Sequence, residues 1–469
     1  MYRFLYSIHQ NIDFDVSKAY DCVIINTGIK FINFSLRRSV GRTMDRKLRI
    51  VSLFSGCGGL DLGFEGGFSV LKKSVRSPEW IESVDGKWAT LKRTSFEIVF
   101  ANDIRSSAKV VWERNFRKEG VFHLGSIVDC VKLARAGEFR FPEADVVIGG
   151  FPCQDFSVAG KRRGFHSDRN HLGEKKKIDA PMDETRGKLY MWMRDVVSLV
   201  KPLMFVAENV KGLVSLTDAK AIIEEDFRNI EGGYAVASAR VLHAADYGVP
   251  QNRERVFFFG FRKDSLKKEI LRIYEKTGGF GNLSPYPSPS HEYTEGSGDF
   301  LKIHDVLSDL PEPDESSDSS HRAYSKAKWY GRHCQGQVEI RPEGVGPTIR
   351  SEHHGNIEFR RLSPEHGGRI EKEFHLPERR LSVRECARIQ TFPDSFDFVI
   401  PGVGGSEAYK LIGNAVPPLL AYHIAKHIEV LWPSVFETVV GKCHEKTKSH
   451  TIVTPRKSPF LLPAPPIAT

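Results

Sequence analysis

The sequence is poor in cysteine and sets what it has in no pattern: the seven cysteines stand at 22, 57, 130, 153, 334, 386 and 443, with no C-x-x-C pair among them. An odd, scattered set in a chain of 469 residues argues against a disulfide framework and against a zinc cluster. It predicts reduced thiols, a cytoplasmic setting and no metal. Long apolar runs are also missing. The most apolar segments, "VVIGGF" and "RVFFFGF", are strand-sized, so no membrane span is expected. The opening "MYRFLYSIHQNIDFDV" lacks the charged-then-apolar order of a secretory leader. No internal repeat is found. Acidic residues are outnumbered 59 to 68 by Lys and Arg, a net charge of +9. That balance suits a polyanionic partner and suits lysine-rich solvated faces equally well.

What is present reads as an α/β protein. Five short runs rich in Val, Ile and Phe, "RIVSLF" (49–54), "FEIVFA" (96–101), "DVVIGG" (145–150), "LMFVAE" (203–208) and "RVFFFG" (255–260), barely alternate. Unbroken apolar runs of this length fit strands buried on both faces of a largely parallel sheet. Helix-like stretches such as "SAKVVWERNF" and "LYMWMRDVVSLV" lie between them. Alternation of the two predicts a doubly wound sheet. Four of the runs end in a glycine or polar cluster, "FSGCGG", "NDI", "FPCQ" and "ENV". Ligands in open α/β sheets bind outside the carboxyl ends of strands, so these clusters mark the expected site.

Domain organisation follows composition. Residues 1–43 precede Met44 and "MDRKLRIVSLF", a natural start for such a domain, and are expected to be a dispensable extension or to lie before the physiological start. Residues 44–264 form the first domain, 265–404 a smaller and more irregular one, and 405–435 a segment that rejoins the first. Within that segment Asn414 is expected to cap a helix opening at Pro417 and Pro418. The tail, 436–469, is basic and proline-rich, with the composition of a disordered segment.

The chemistry-bearing residues sit at the predicted strand ends. In "FSGCGGLDLGF" the glycines let backbone N–H groups approach a ligand, but Asp61 stands where a dinucleotide fingerprint has its third glycine. A tight turn is the plain alternative. Asp103 is placed to bind ribose hydroxyls or simply to end a strand in solvent. Cys153 follows Pro152 just past a strand, with Lys161, Arg162 and Arg163 near enough to favour a thiolate; a packed structural thiol is the alternative. Glu208 ends an otherwise apolar strand, where burial raises a carboxyl pKa and suits a proton donor, or an ion-paired acid. Arg253 and Arg255, two residues apart, would share one face of an entering strand and suit a phosphate or a base edge, or a solvated strand start.

These motifs, with "GGFPCQDFSVAG", "FVAENVKG", "QNRERVFFFGFR", "RRLSVRECARIQTFPDSF" and "AYKLIGNAVPP", stand in the order found in DNA (cytosine-5)-methyltransferases, a family the chain resembles over residues 48–264 and 378–430. The resemblance implies a Rossmann-like methyltransferase fold with a smaller target-recognition domain, and S-adenosyl-L-methionine as methyl donor. It implies Cys153 as the nucleophile on C6 of a flipped-out cytosine and Glu208 as the acid at N3. Arg253 and Arg255 are implied to hold the base and its phosphate. The cofactor would meet Phe54, Gly56, Cys57, Gly58, Gly59, Asp103, Ile104, Pro152, Leu189 and Asn414. Ser126, in "GSI", stands where the family often has an acid, so a hydroxyl replaces a carboxylate beside the adenine. Residues 71–95 read as an insertion.

Duplex DNA is the implied partner, with Gln154, Ser157, Gln251, Arg350, His353, His354 and Arg360 as candidate contacts. A short GC-rich palindrome is the guessed target. Arg384, Glu385 and Arg388 are expected to ion-pair as scaffold. The implied enzyme acts as a monomer in a restriction-modification system, protecting DNA from a restriction endonuclease it does not stably bind. A tRNA cytosine-5 methyltransferase is the competing enzyme reading, opposed by the sizeable region 265–378. A non-catalytic DNA-binding relative would have lost Cys153 or Glu208, and both are present.

Overall fold

The computed structural model describes residues 46–152, 189–215, 218–291, 299–329, 331, 338–351 and 358–437. Their strands are β1 (Leu48–Leu53), β2 (Ser69–Leu71), β3 (Ile81–Asp85), β4 (Trp88–Leu91), β5 (Phe96–Asp103), β6 (Phe122–Leu124), β7 (Val146–Gly150), β8 (Met204–Val210), β9 (Tyr234–Val236), β10 (Arg240–His243), β11 (Glu254–Arg262), β12 (Phe359–Arg361) and β13 (Arg379–Arg380). The helices are α1 (Gly59–Glu65), α2 (Ser106–Phe116), α3 (Ile127–Arg135), α4 (Leu189–Val200), α5 (Ala219–Arg228), α6 (Lys268–Thr277), α7 (Ile303–Leu307), α8 (Ser319–Arg322), α9 (Val383–Ile389), α10 (Gly405–Asn414) and α11 (Pro418–Val435).

All five apolar runs enter one sheet of order β10-β11-β8-β7-β1-β5-β6, with β9 also paired to β11. From β8 to β6 every pairing is parallel. The interior strands are almost wholly buried on both faces, as unbroken Val, Ile and Phe runs require. In this mostly parallel sheet the fifth run is the exception: β11 runs antiparallel to β8 and forms a hairpin with β10. A hairpin needs only a short connection, whereas a further parallel strand needs a crossover.

Residues 69–91 fold as a three-stranded antiparallel sheet, β2-β4-β3, inserted between α1 and β5. The chain returns to the first helix through α11. A Cβ at Gly63 would lie 2.3 Å from the Ala421 Cβ and 2.4 Å from the Pro418 carbonyl oxygen, so only glycine allows that approach. Asn414 does not cap α11 as expected. It closes α10, and the N-cap of α11 is Pro417, with no side-chain bond. The proline pair fixes the backbone there without a capping side chain.

Cys57, Cys130 and Cys386 are free and buried. Among the described residues no helix is long and apolar enough to cross a membrane, and no group of three or more His, Cys, Asp or Glu side chains could hold a metal.

Candidate active site

The parallel strands end together, and their carboxyl ends open into a cavity of about 220 Å³. Its floor is the β1–α1 loop, one wall is the end of β5, the opposite wall the ends of β7 and β8, and Leu411 with residues 413–416 closes the back.

The loop is built for close approach. Gly56 and Gly58 take positive φ of 55° and 89°, and Phe54 is held at 54°, where a side chain is strained. Gly56 N–H donates to Asp103 Oδ2 at 3.0 Å and Arg105 N–H to Oδ1 at 2.9 Å. An ionised carboxylate accepts about four hydrogen bonds, so Asp103 retains acceptor capacity on the cavity side. Burial pushes its pKa up, against the bonds from Arg105 and Gly56. Phe54, Gly56, Cys57, Gly59, Asp103, Ile104, Pro152, Leu189 and Asn414 all line the cavity. Gly58 does not. A Cβ there would strike the Phe116 ring at 2.5 Å, so its role is to let α2 pack against the loop. Ser126 lines the cavity too, and its hydroxyl caps α3 by accepting from Val128 N–H at 3.3 Å.

At the other wall, Glu208 is only 7% exposed, and Arg255 Nε lies 3.1 Å from its Oε1. Burial raises the Glu208 pKa, and the charges of Arg255 and Arg253 oppose the rise without cancelling it. Gly150 pairs with Glu208 across the sheet, and a Cβ there would lie 2.7 Å from Oε2; the glycine makes room for the carboxyl group. Asn209 Nδ2 donates to the Phe151 carbonyl at 3.0 Å, which fixes the chain just before Pro152 and Cys153. Cys153 itself, with Gln154, Ser157, His353 and His354, lies outside the described residues. The described thiols are poor nucleophiles: burial pushes Cys57 and Cys386 far up and Cys130 up to about 12.

Three expected contacts point elsewhere. Arg253 is fully buried and absent from the cavity lining; its guanidinium donates to the carbonyls of Ile349, Gly413 and Ala415. Arg253 lies one residue before β11 begins, where the two-residue alternation shared with Arg255 does not yet hold. Gln251 is also fully buried, bonded to Gln390 and to Ile349 N–H. Arg360 turns inward to Glu373 at 2.7 Å and Glu385 at 3.6 Å. Arg350 pairs with Glu358 at 3.2 Å and keeps partial exposure. Two buried residues were missed at the sequence level. Asn209 is one; Asn102 is the other, donating to the His123 and Gly125 carbonyls and so holding the loop that carries Ser126. The available signal was an amide side chain within an apolar strand.

Arg384, Glu385 and Arg388 are ion-paired scaffold, though each with partners outside the trio. Glu385 binds Arg379 at 2.8 and 3.0 Å, Arg384 binds Asp318 at 2.6 Å, and Arg388 binds Asp309 at 2.7 Å and Asp394 at 2.5 Å.

A mostly parallel sheet with a glycine loop, an acidic β5 end and a buried acid beside a strand end defines the Rossmann-like methyltransferase class. The sequence model of the C-5 cytosine-specific DNA methylase family matches residues 48–430. The chain is 32% identical to the Type II methyltransferase M.BsuRI of Bacillus subtilis over 398 residues, covering 81% of this chain and 79% of that one. It is 33% identical to M.BspRI of Lysinibacillus sphaericus over 403 residues, covering 81% of each. The fold is similar to the Dnmt2 methyltransferase of S. pombe, with a TM-score of 0.52 at 17% identity over 82% of this chain and 99% of the other. The chain belongs to the C-5 cytosine-specific DNA methylase family and is a DNA (cytosine-5)-methyltransferase of the Type II kind.

Proposed function

We propose that the protein methylates C5 of a flipped-out cytosine in duplex DNA through a covalent adduct to Cys153, with S-adenosyl-L-methionine as donor. The observation that carries this reading is Glu208, buried on the cavity wall that ends in Pro152, where burial raises its pKa. The cavity residues fit the donor: Phe54 and the exposed Ile104 offer apolar faces for a purine, and Asp103 keeps acceptor capacity for a ribose diol. When bound, the donor supplies an electrophilic methyl group.

The chain's own residues supply the rest. The Cys153 thiolate adds to C6 of the cytosine while Glu208 delivers its proton to N3, which draws the electron pair out of the C5–C6 double bond and leaves C5 nucleophilic. Once C5 has gained its methyl group, a base takes the C5 proton, and the electron pair it leaves re-forms the C5–C6 double bond as the Cys153–C6 bond breaks, returning the thiolate, while the N3 proton goes back to Glu208. Arg255 holds the Glu208 carboxyl in place through its Nε contact. The cytosine must leave the stack to reach this wall, at about a few kcal/mol.

Residues 265–404 are proposed to recognise the target, with Gln154, Ser157, Arg350, His353 and His354 as the remaining candidate contacts. By likeness to the Type II relatives, the enzyme is expected to protect DNA from a cognate restriction endonuclease. Labelled methyl transfer to duplex DNA and to tRNA, with mapping of methylcytosine in DNA from cells expressing the protein, tests the reading. Methyl groups on one short duplex sequence are expected; label on tRNA alone, or no new methylcytosine, would overturn it.

A further inference from the structure

Two buried side chains hold the back wall of the cavity: Gln390 Nε2 donates to the carbonyls of Ile412 at 2.7 Å and Ala415 at 3.1 Å, and Arg253 ties the same wall to residues 346–351. The Arg253 guanidinium donates through Nη1 to the Ile349 carbonyl at 2.9 Å and through Nη2 to those of Gly413 at 2.9 Å and Ala415 at 2.7 Å. Gly413 is in the last turn of α10, where carbonyls lack helical partners and a cation is favoured. Residues 413–416 line the cavity, and Arg253 does not.

The same side chain also grips residues 346–351. Ile349 is clamped at both ends of its backbone, its N–H to Gln251 Oε1 at 3.0 Å and its carbonyl to Arg253. The main chain bonds directly as well, Asn252 N–H to Gly346 and Gly346 N–H to Pro250. That segment rests on the cavity wall: a Cβ at Gly413 would lie 2.4 Å from both the Arg350 carbonyl carbon and the Ser351 nitrogen.

We propose that Arg253 is a positioning residue that keeps residues 413–416 in register with 346–351, so that donor affinity depends on a side chain that touches neither donor nor DNA. The inference rests on the reading of the cavity as the donor site. A planar fork serves three carbonyls in different directions; a lysine ammonium at the same place cannot hold the same geometry, and a methionine removes all three bonds, leaving Ala415 only its bond from Gln390.

The test is calorimetric titration of S-adenosylhomocysteine, the product form of the donor, into the full chain without DNA. Arg253→Met is expected to bind about tenfold more weakly than wild type, with Arg253→Lys between. Gly413→Ala, which drives a methyl into the Arg350–Ser351 backbone, should weaken binding in the same direction. Arg384→Met removes an equally buried arginine away from the cavity. It should lower the melting temperature but leave affinity within about twofold of wild type. If Arg253→Met does not stay folded, Arg253→Lys and Gly413→Ala carry the same comparison. Wild-type affinity in Arg253→Met, or an equal loss in Arg384→Met, would overturn the proposal. A wild-type chain that binds no product would instead overturn the donor-site reading on which it rests.

Discussion

Two regions of this molecule bury a glutamate beside an arginine and obtain opposite acids. Glu208, at the end of β8, is raised by burial, and the charges of Arg255 and Arg253 only oppose that rise. Glu385, in α9, suffers the same burial, yet the charge and hydrogen bonds of Arg379 outweigh it and hold the carboxyl below its ordinary range. The difference lies in the donors. Glu208 meets one guanidinium nitrogen at 3.1 Å, whereas Glu385 meets two at 2.8 and 3.0 Å and accepts the Ser382 N–H at 2.7 Å. Neighbours follow suit. On the cavity wall burial raises Asp103, and within α1 burial raises Asp61 to about 7 against hydrogen bonds from Ser52 and Trp112. In the scaffold, burial is outweighed at Glu312 by Arg361 and Arg379, which bring it down to about 2, and at Asp318 by Arg384. A buried carboxylate fully served by donors is a permanent anion and a structural strut. One with fewer donors holds its proton more tightly than an ordinary carboxyl group.

The largest effect that would break this contrast is at Glu208. Glu208→Gln should lower kcat by about 10²–10⁴ while the unfolding midpoint changes little; a fall in stability with kcat intact would make Glu208 a strut like Glu385. Glu385→Gln should do the reverse, costing about 3–5 kcal/mol in denaturant unfolding by stranding part of a buried ion-pair network.

Acid and base limbs should then separate the two regions. Glu312 has a folded pKa of about 2 against an ordinary 4.5, so the stability it lends is complete above 4.5 and lost as pH falls towards 2. Asp61 has the opposite sign: its folded pKa of about 7 lies above an ordinary 3.8, so its contribution is complete below 3.8 and lost as pH rises towards 7. Melting curves of Asp61→Asn should therefore lack part of the wild-type decline between pH 4 and pH 7. An unchanged profile would remove Asp61 from the contrast. The smallest effect is expected at Arg360, where Arg360→Ala should cost about 1 kcal/mol and leave the methylated sequence unchanged. A shifted target sequence would return Arg360 to the DNA surface.

Much of this was legible in the sequence because burial leaves a mark on composition. Five apolar runs gave five strands of one sheet, and a lone carboxylate ending the fourth gave Glu208. Strand direction was not legible, since β11 is as apolar as its parallel neighbours and only its pairing distinguishes it. Arg253 was misread for a local reason: alternation assigns faces only inside a strand, and β11 begins at Glu254. Two partners, Asp318 of Arg384 and Asp309 of Arg388, were hidden because they lie 66 and 79 residues away in the chain. Neighbour spacing cannot reach that far.

The central claim is covalent attack by Cys153 on cytosine C6, assisted by Glu208, and the most direct measurement is capture of the adduct. In duplex DNA carrying 5-fluorocytosine at the target, no C5 proton can be removed after methyl transfer, so the thiolate cannot leave. Wild-type protein with S-adenosylmethionine should give a denaturation-resistant complex whose digest carries the base on the peptide holding Cys153. Cys153→Ser should give none, and Glu208→Gln should form it far more slowly. A wild-type enzyme that methylates ordinary target DNA yet yields no such complex, or an adduct that survives in Cys153→Ser, would contradict the account.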